Sequence, residues 1–408
     1  MRDIQFVETK EKNFTICVDK IYLHSKYYPL KEAKKFIDAN DKIYKNKRQV
    51  VVYGIGIGYH IKEILNRVDK QCKVYVFDVD KDIVNIAMKY KILKELKNDK
   101  RIELFLNNDY EFLSNFKEKL QLVDDILIYQ PSLKVLPEEY KEIKEILQSY
   151  VIGKIAINKY GNISLENYKS NIKSIRNMFN IQKYFQKYNL KDKPVVIAAG
   201  GPSLEYSLKF LKVNREKLYI FSLGRTIDIL MQYGIKPDNI TIIHSEEVVY
   251  EQIKEYIDLD IPLLFLSTAC NKAVKSYRGP KYIFFNKKDE NNESNIIINT
   301  GKTVAVASLD IAVKSGVKTV IFIGQDLAFL NNKAHAGDRE NTLNSNKIRK
   351  VLSVDGRLLD TTLGMLEFKR NIEMIIKDNS DIRFINCSKG AKIKGTKEIN
   401  LEEVLNLL

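Results

Sequence analysis

Four short segments hold the residues of this chain that could do chemistry. Ala199-Gly200-Gly201-Pro202-Ser203-Leu204 leads out of the apolar run 194–198. Gly200 and Gly201 let backbone amides approach an anion, and Pro202 stiffens the turn. Ser203 can cap the next helix or donate its hydroxyl to a phosphate. Packing alone rarely needs two glycines, a proline and a capping serine together, so this junction reads as functional. Thr300-Gly301-Lys302-Thr303 precedes the apolar stretch Val304–Lys314. Hydroxyls and a lysine at a helix start suit a phosphate, and equally a plain helix cap. Ile323-Gly324-Gln325-Asp326-Leu327 ends a strand pattern, and open α/β sheets hold ligands beyond the carboxyl ends of their strands. His335 follows in a polar loop, where either a general base or a solvated histidine would sit. His335 and Asp326 are the catalytic candidates, and His244, in Ile243-His244-Ser245-Glu246, comes second.

A fifth segment, Tyr53-Gly54-Ile55-Gly56-Ile57-Gly58, lies between a strand and a helix, and Asp78 ends the next strand. Taken literally, this is a site for S-adenosylmethionine or a dinucleotide, with Asp78 on the ribose. The glycines fall as GxGxG rather than GxGxxG, so a tight turn kept for packing fits as well. Asp78-Val79-Asp80 reads as a ribose carboxylate or a strand end rather than a metal motif. No Asp-x-Asp ends a strand in the second half, so no obligatory metal is expected there.

Strand patterns at 49–53, 73–77, 102–106 and 124–129 alternate with helical patterns at 59–68 and 83–96. Such alternation means βαβ units and a parallel sheet. A second series follows at 194–198, 218–223, 240–244, 262–267, 282–285 and 319–323, with Val304–Lys314 as a buried helix. The fold class is α/β: two doubly wound Rossmann-like domains, a helical linker and a helical C-terminal segment. The expected boundaries are 1–155, 156–190, 191–340 and 341–408, with the best C-terminal helix at 362–377.

At 408 residues the chain has room for two or three domains. With 45% hydrophobic and 29% charged residues it is not a disordered chain. Lys and Arg number 67 against 52 Asp and Glu, a net charge of +15 that favours anionic partners. The surplus is spread along the chain without an aromatic-interleaved basic stripe, so nucleic acid is not expected as a partner. Cys17, Cys72, Cys270 and Cys387 are far apart, which argues against a disulfide framework or a structural zinc site. No apolar run is long enough for a signal peptide or a membrane span, so a cytoplasmic protein with no membrane partner is expected.

These motifs, in this order, resemble the motility-associated factor family of flagellin glycosyltransferases. The likeness is carried by Ala199 to Leu204, Gly234-Ile235-Lys236-Pro237-Asp238, Gly324-Gln325-Asp326-Leu327-Ala328, His335-Ala336-Gly337, and Asn386 with Lys394-Gly395. Val52-Tyr53-Gly54-Ile55-Gly56-Ile57-Gly58-Tyr59-His60 looks like that family's first domain. Gly201-Pro202-Ser203-Leu204 also looks like the nucleotide turn of bacterial sialyltransferases that use CMP-sialic acid. In those enzymes an asparagine stands where this chain has Gly200, and an aromatic residue where it has Leu327-Ala328.

The resemblance implies transfer of a CMP-activated nonulosonic acid, of pseudaminic or legionaminic type, to Ser or Thr of flagellin. The reaction is a single displacement with inversion that requires no cofactor. It implies a donor site at Gly200, Gly201, Pro202, Ser203, Gly224, Arg225, Ser245, Glu246, Thr300, Gly301, Thr303, Gly324 and Gln325, with His335 as base. Lys302 or Arg225 would steady the leaving phosphate. The partners implied are flagellin and the CMP-sugar; a homo-oligomer stays open. Three rivals remain: an ATP-dependent pterin diphosphokinase, an S-adenosylmethionine-dependent methyltransferase and a non-catalytic flagellin-binding scaffold.

Overall fold

Runs of Val, Ile and Phe buried on both faces build two parallel sheets in this chain, as expected where helices cover both sides. The computed structural model describes residues 2–106, 111–120, 122–123, 125–336 and 348–406. The chain divides into two units, Met1–Val151 and Ile152–Leu408.

In the first unit β1 (Ile4–Glu8), β2 (Phe14–Val18) and β3 (Ile21–Tyr22) form a small antiparallel sheet. A parallel sheet follows from β4 (Gln49–Tyr53), β5 (Lys73–Asp78), β6 (Ile102–Leu106) and β7 (Ile126–Ile128), in the order β6-β5-β4-β7. Val50 and Val52 enter one core while Val51 and Tyr53 enter the other, the two-residue alternation of a central strand. Residue 124, where the last of these strands was expected to begin, lies outside the described residues. The helix expected over 83–96 is two helices, Lys81–Ala87 and Lys91–Lys97, the first capped by the Asp80 side chain.

The second unit is built on β8 (Phe179–Asn180), β9 (Val195–Ala198), β10 (Tyr219–Leu223), β11 (Asn239–Ile242), β12 (Leu263–Leu266), β13 (Lys281–Phe284) and β14 (Thr319–Ile323). A hairpin of β15 (Ile348–Leu352) and β16 (Leu358–Thr362) stands apart, and β17 (Arg383–Asn386) and β18 (Lys397–Glu398) return to the sheet. The sheet order is β18-β17-β14-β9-β10-β11-β12-β13-β8, with every pairing parallel. From β9 the chain lays strands outward on one flank, then returns with β14 on the other. The order therefore reverses between β9 and β14, where open α/β sheets leave a crevice. Val195 and Ile197 of β9 face one core and Val196 and Ala198 the other. The Val304–Lys314 helix packs on the first of these faces, over β9, β10 and β11.

Two expected segments differ. The stretch 156–190, expected as a helical linker, carries more than helix. It ends the helix Lys141–Lys173, then adds β8 beside β13 and buries Ile181 and Tyr184 in the sheet's core. The C-terminal segment carries its expected helix, Leu363–Lys377 with Thr362 capping Met365 N, but β15 to β18 as well. β17 reads poorly because its four residues, Arg383-Phe384-Ile385-Asn386, are flanked by charge; pairing with β14 makes it a strand. Residues 341–347 lie outside the described residues. Among the described residues no helix is long and apolar enough to cross a membrane.

Candidate functional site

A cavity of about 340 Å³ runs along the carboxyl edge of the second unit's sheet. Four strands adjacent in the sheet line it: β14 through Gly324, Gln325 and Asp326, β9 through Ala199, Gly200 and Gly201, β10 through Leu223, Gly224 and Arg225, and β11 through Thr241 to His244. Three interstrand steps of ~4.8 Å give it a length of roughly 14 Å. Lys302, Thr303, Val304 and Ala305 reach it from the start of the Val304–Lys314 helix. Val249 and Gln252 come from the Val248–Ile253 helix, and Met365 and Phe368 from the Leu363–Lys377 helix.

Asp326 is buried, and its carboxylate is engaged by backbone. Oδ2 accepts the Ser203 amide at 2.8 Å and Oδ1 the Lys389 amide at 3.2 Å, while its carbonyl takes the Ala391 amide at 2.6 Å. Burial pushes the Asp326 carboxyl above its ordinary value, partly offset by these amides. The approach is so close that a Cβ on Gly201 would overlap the Asp326 carboxylate, and one on Gly390 the Asp326 backbone. Asp326 thus fastens the Gly-Gly-Pro-Ser turn to the loop after β17.

Gln325 differs. Its amide donates to Ser388 Oγ at 2.8 Å, and the Ser388 amide donates to Asn386 Oδ1 at 3.0 Å. Its own Oε1 is buried with no partner among the described residues although Gln325 lines the cavity, leaving an acceptor for a ligand's donor. His335 is half-buried on the same wall. The next residue's amide, from Ala336, donates to Gly200 O at 2.9 Å and holds the histidine's loop against the glycine turn. Thr361 Oγ1 donates to Leu327 O and the Phe329 amide to Asp360 O, both at 2.8 Å, which ties the same loop to β16. Gly337 of the His-Ala-Gly motif lies outside the described residues.

Arg225 is set by Thr226, whose hydroxyl donates to Ala198 O at 3.0 Å and accepts the Leu223 amide at 2.9 Å. The arginine stem then lies over Gly200, 3.5 Å from where a Cβ would stand. His244 Nδ1 accepts the Glu246 amide at 3.3 Å, so the neutral ring carries its proton on Nε2, and Tyr160 packs edge-on at 4.9 Å. Gly301 and Lys302 both adopt positive φ, +47° and +65°, which turns the chain into the helix. Burial pushes the Lys302 ammonium below its ordinary value.

Of the expected site residues, Gly200, Gly201, Gly224, Arg225, Thr303, Gly324, Gln325, Asp326 and His335 meet at the cavity. Pro202, Ser203, Ser245, Glu246, Thr300 and Gly301 do not line it. Three of the amides expected to cradle a phosphate are already used: Gly201 N–H by Gly324 O at 2.8 Å, Gly301 N–H by Asn299 Oδ1 at 3.0 Å and Thr303 N–H by Thr300 O at 2.9 Å. The Ser245 carbonyl accepts from Asn167 Nδ2 at 2.8 Å. What faces a ligand instead is Arg225, Lys302, His244, His335 and the positive end of the Val304–Lys314 helix. Thr241, Ile242, Val249, Gln252, Met365 and Phe368 had no motif to mark them; the topology brings them together.

The glycine turn of the first unit is closed by its own chain. Asp78 accepts the Ile55 amide at 2.8 Å and the Asp80 amide at 3.0 Å, and His24 Nε2 accepts the Ile57 amide at 3.2 Å. A Cβ on Gly56 would stand 2.5 Å from His24 Nε2. Asp78 and His24 are both buried, so the carboxylate expected on a ribose serves the turn itself.

A family model described as 6-hydroxymethylpterin diphosphokinase MptE-like matches residues 165–332, less than half of the chain. No curated protein matches. The solved structure of the MAf glycosyltransferase from Magnetospirillum magneticum AMB-1 aligns with a TM-score of 0.54 at 13% identity, covering 97% of this chain and 70% of that one. The chain shares the fold of a MAf glycosyltransferase. The expected likeness to that family therefore holds in the fold, while the family model covers β8 to β14 and most of the cavity.

Proposed function

We propose that the chain is a glycosyltransferase that moves a nonulosonic acid of pseudaminic or legionaminic type from CMP to Ser or Thr of flagellin. The observation that carries this reading is the cavity: about 14 Å long by strand spacing, at the reversal of strand order, with Arg225, Lys302, His244 and His335 on its walls. A CMP-nonulosonic acid is of that length and bears two anionic groups, a phosphate and a carboxylate. Among the described residues lining the cavity Asp326 is the one carboxylate, and backbone amides already occupy it. The shared fold supports the same reading.

In the proposed reaction the acceptor hydroxyl attacks the anomeric carbon. The bond from that carbon to the phosphate oxygen breaks, and CMP leaves with the electron pair. His335 takes the hydroxyl proton. Arg225 and Lys302 steady the charge that builds on the phosphate, and the displacement needs no metal. Incubating the chain with a CMP-nonulosonic acid and flagellin tests this: the expected result is flagellin heavier by one sugar residue, with CMP released. Intact CMP-sugar and unmodified flagellin after full incubation with folded protein would overturn the reading.

The family-model match favours a second reading, a pterin diphosphokinase acting with ATP and Mg²⁺. The engaged state of Asp326 weighs against it, since a magnesium ion held by protein needs carboxylate oxygens free to bind. Formation of a pterin diphosphate and AMP from ATP would establish it.

A further inference from the structure

At the β11 end of the cavity three polar side chains, Thr241, His244 and Gln252, stand among apolar ones. Gln252 lines the cavity beside Leu223, Ile242 and Val249, all three buried. It is half-buried, and makes no hydrogen bond among the described residues. Its Oε1 is 3.3 Å from where a Cβ on Gly224 would stand, so the carboxamide lies close against that glycine. Gly224 has φ +51° and donates its amide to Thr241 O at 3.0 Å, which keeps the turn flat against β11.

A carboxamide offers a donor beside an acceptor. If a ligand covered it without a matching pair, the buried amide would be left unsatisfied, which disfavours binding. Its partner therefore carries an acceptor next to a donor on one edge. The apolar walls suit a flat ring better than a hydroxyl-studded sugar. A nucleobase edge, with ring nitrogen beside exocyclic amine, has both properties. His335 belongs to the loop after β14, three strands away from this end.

We infer that Gln252, seated against Gly224, reads the Watson–Crick edge of the donor's nucleobase and sets base specificity from the β11 end of the cavity. The inference rests on the nucleotide-sugar reading given above. It sets the ligand's direction: base at β11, sugar towards His335 and β14.

The test is calorimetric titration of the full chain with CMP, and with ribose 5-phosphate as a ligand lacking the base. Gln252→Leu removes both hydrogen-bonding groups, and Gln252→Glu keeps the shape and loses the donor. Both variants are expected to weaken CMP about tenfold or more while ribose 5-phosphate changes less than twofold, at an unchanged melting temperature. CMP affinity unchanged in both variants overturns the assignment. So does a parallel loss for ribose 5-phosphate, which would mean that Gln252 acts on the phosphate end or on the fold. Wild-type protein that binds no nucleoside monophosphate would sink the donor reading itself, a result distinct from either.

Discussion

The Ser203 amide donates to Asp326 Oδ2 at 2.8 Å across 123 residues of chain, so the two sides of the strand-order reversal are joined through one buried carboxylate. Ser203 and Asp326 both look like ligand-contacting residues by type. Together they form a fastener, and the contacts left to a ligand pass to their neighbours Gln325, Gly200 and Arg225.

Gly390 is the sharpest test of that fastener. Its missing Cβ would overlap the Asp326 backbone. Gly390→Ala is expected to destabilise the second unit by about 1–3 kcal/mol, as overpacking does, and to weaken ligand binding with it. Gly364, with nothing nearer than the Thr362 hydroxyl at 3.8 Å, is the control. Gly364→Ala should leave stability unchanged or raise it by up to about 1 kcal/mol. Melting curves of the two variants check this; equal effects would contradict the packing described.

The first unit holds two buried groups with opposed pH dependence. Burial pushes Asp78 up to about 7 and His60 down to about 3, the latter with His24 nearby. The folded state holds the Asp78 proton more tightly than the unfolded chain, so that group's contribution falls as pH rises from about 4 to 7. The folded state excludes the His60 proton, so its contribution rises with pH from about 3 to 6.5. The two slopes, each at most about 1.4 kcal/mol per pH unit, nearly cancel where they overlap. Urea titrations from pH 4 to 7 should find stability rising with pH in Asp78→Asn and falling with pH in His60→Gln, relative to wild type. Parallel profiles for all three proteins would refute the assignment.

His335→Ala separates binding from chemistry. Turnover is expected to fall by about 10²–10⁴, the range for loss of a general base, while CMP affinity stays within a few-fold. The acid limb of the rate–pH profile should vanish with it. A variant that keeps its rate and pH profile would mean that another residue takes the proton.

Arg225 and Lys302 are assigned to the phosphate. Arg225→Ala and Lys302→Ala should each weaken CMP about tenfold and leave cytidine, which lacks the phosphate, unaffected. Calorimetry with the two ligands decides; equal losses for both would place these residues elsewhere on the ligand.

Much of the architecture was legible because strands buried on both faces, such as Val195–Ala198 and Thr319–Ile323, write themselves as unbroken apolar runs. β8, β17 and β18 were not, being two to four residues long and made into strands by their neighbours. At the site, glycine positions were readable because close approach leaves a mark on the sequence. Which amides remained available was not. The groups that occupy them, Asp326 for Ser203, Asn299 for Gly301 and His24 for Ile57, come from segments whose proximity only the fold creates. The same holds for Gln252 and Phe368, which acquire a role by lining the cavity and not by belonging to a motif.

The most direct test of the central claim is a thermal-shift titration of wild type and Arg225→Ala with CMP, ATP with Mg²⁺, and S-adenosylmethionine, since a ligand that binds the folded state raises its melting temperature. The account predicts a rise with CMP that shrinks in the variant, and no rise with S-adenosylmethionine, because the first unit's glycine turn is filled by Asp78 and His24. A rise with ATP or S-adenosylmethionine and none with CMP would contradict it.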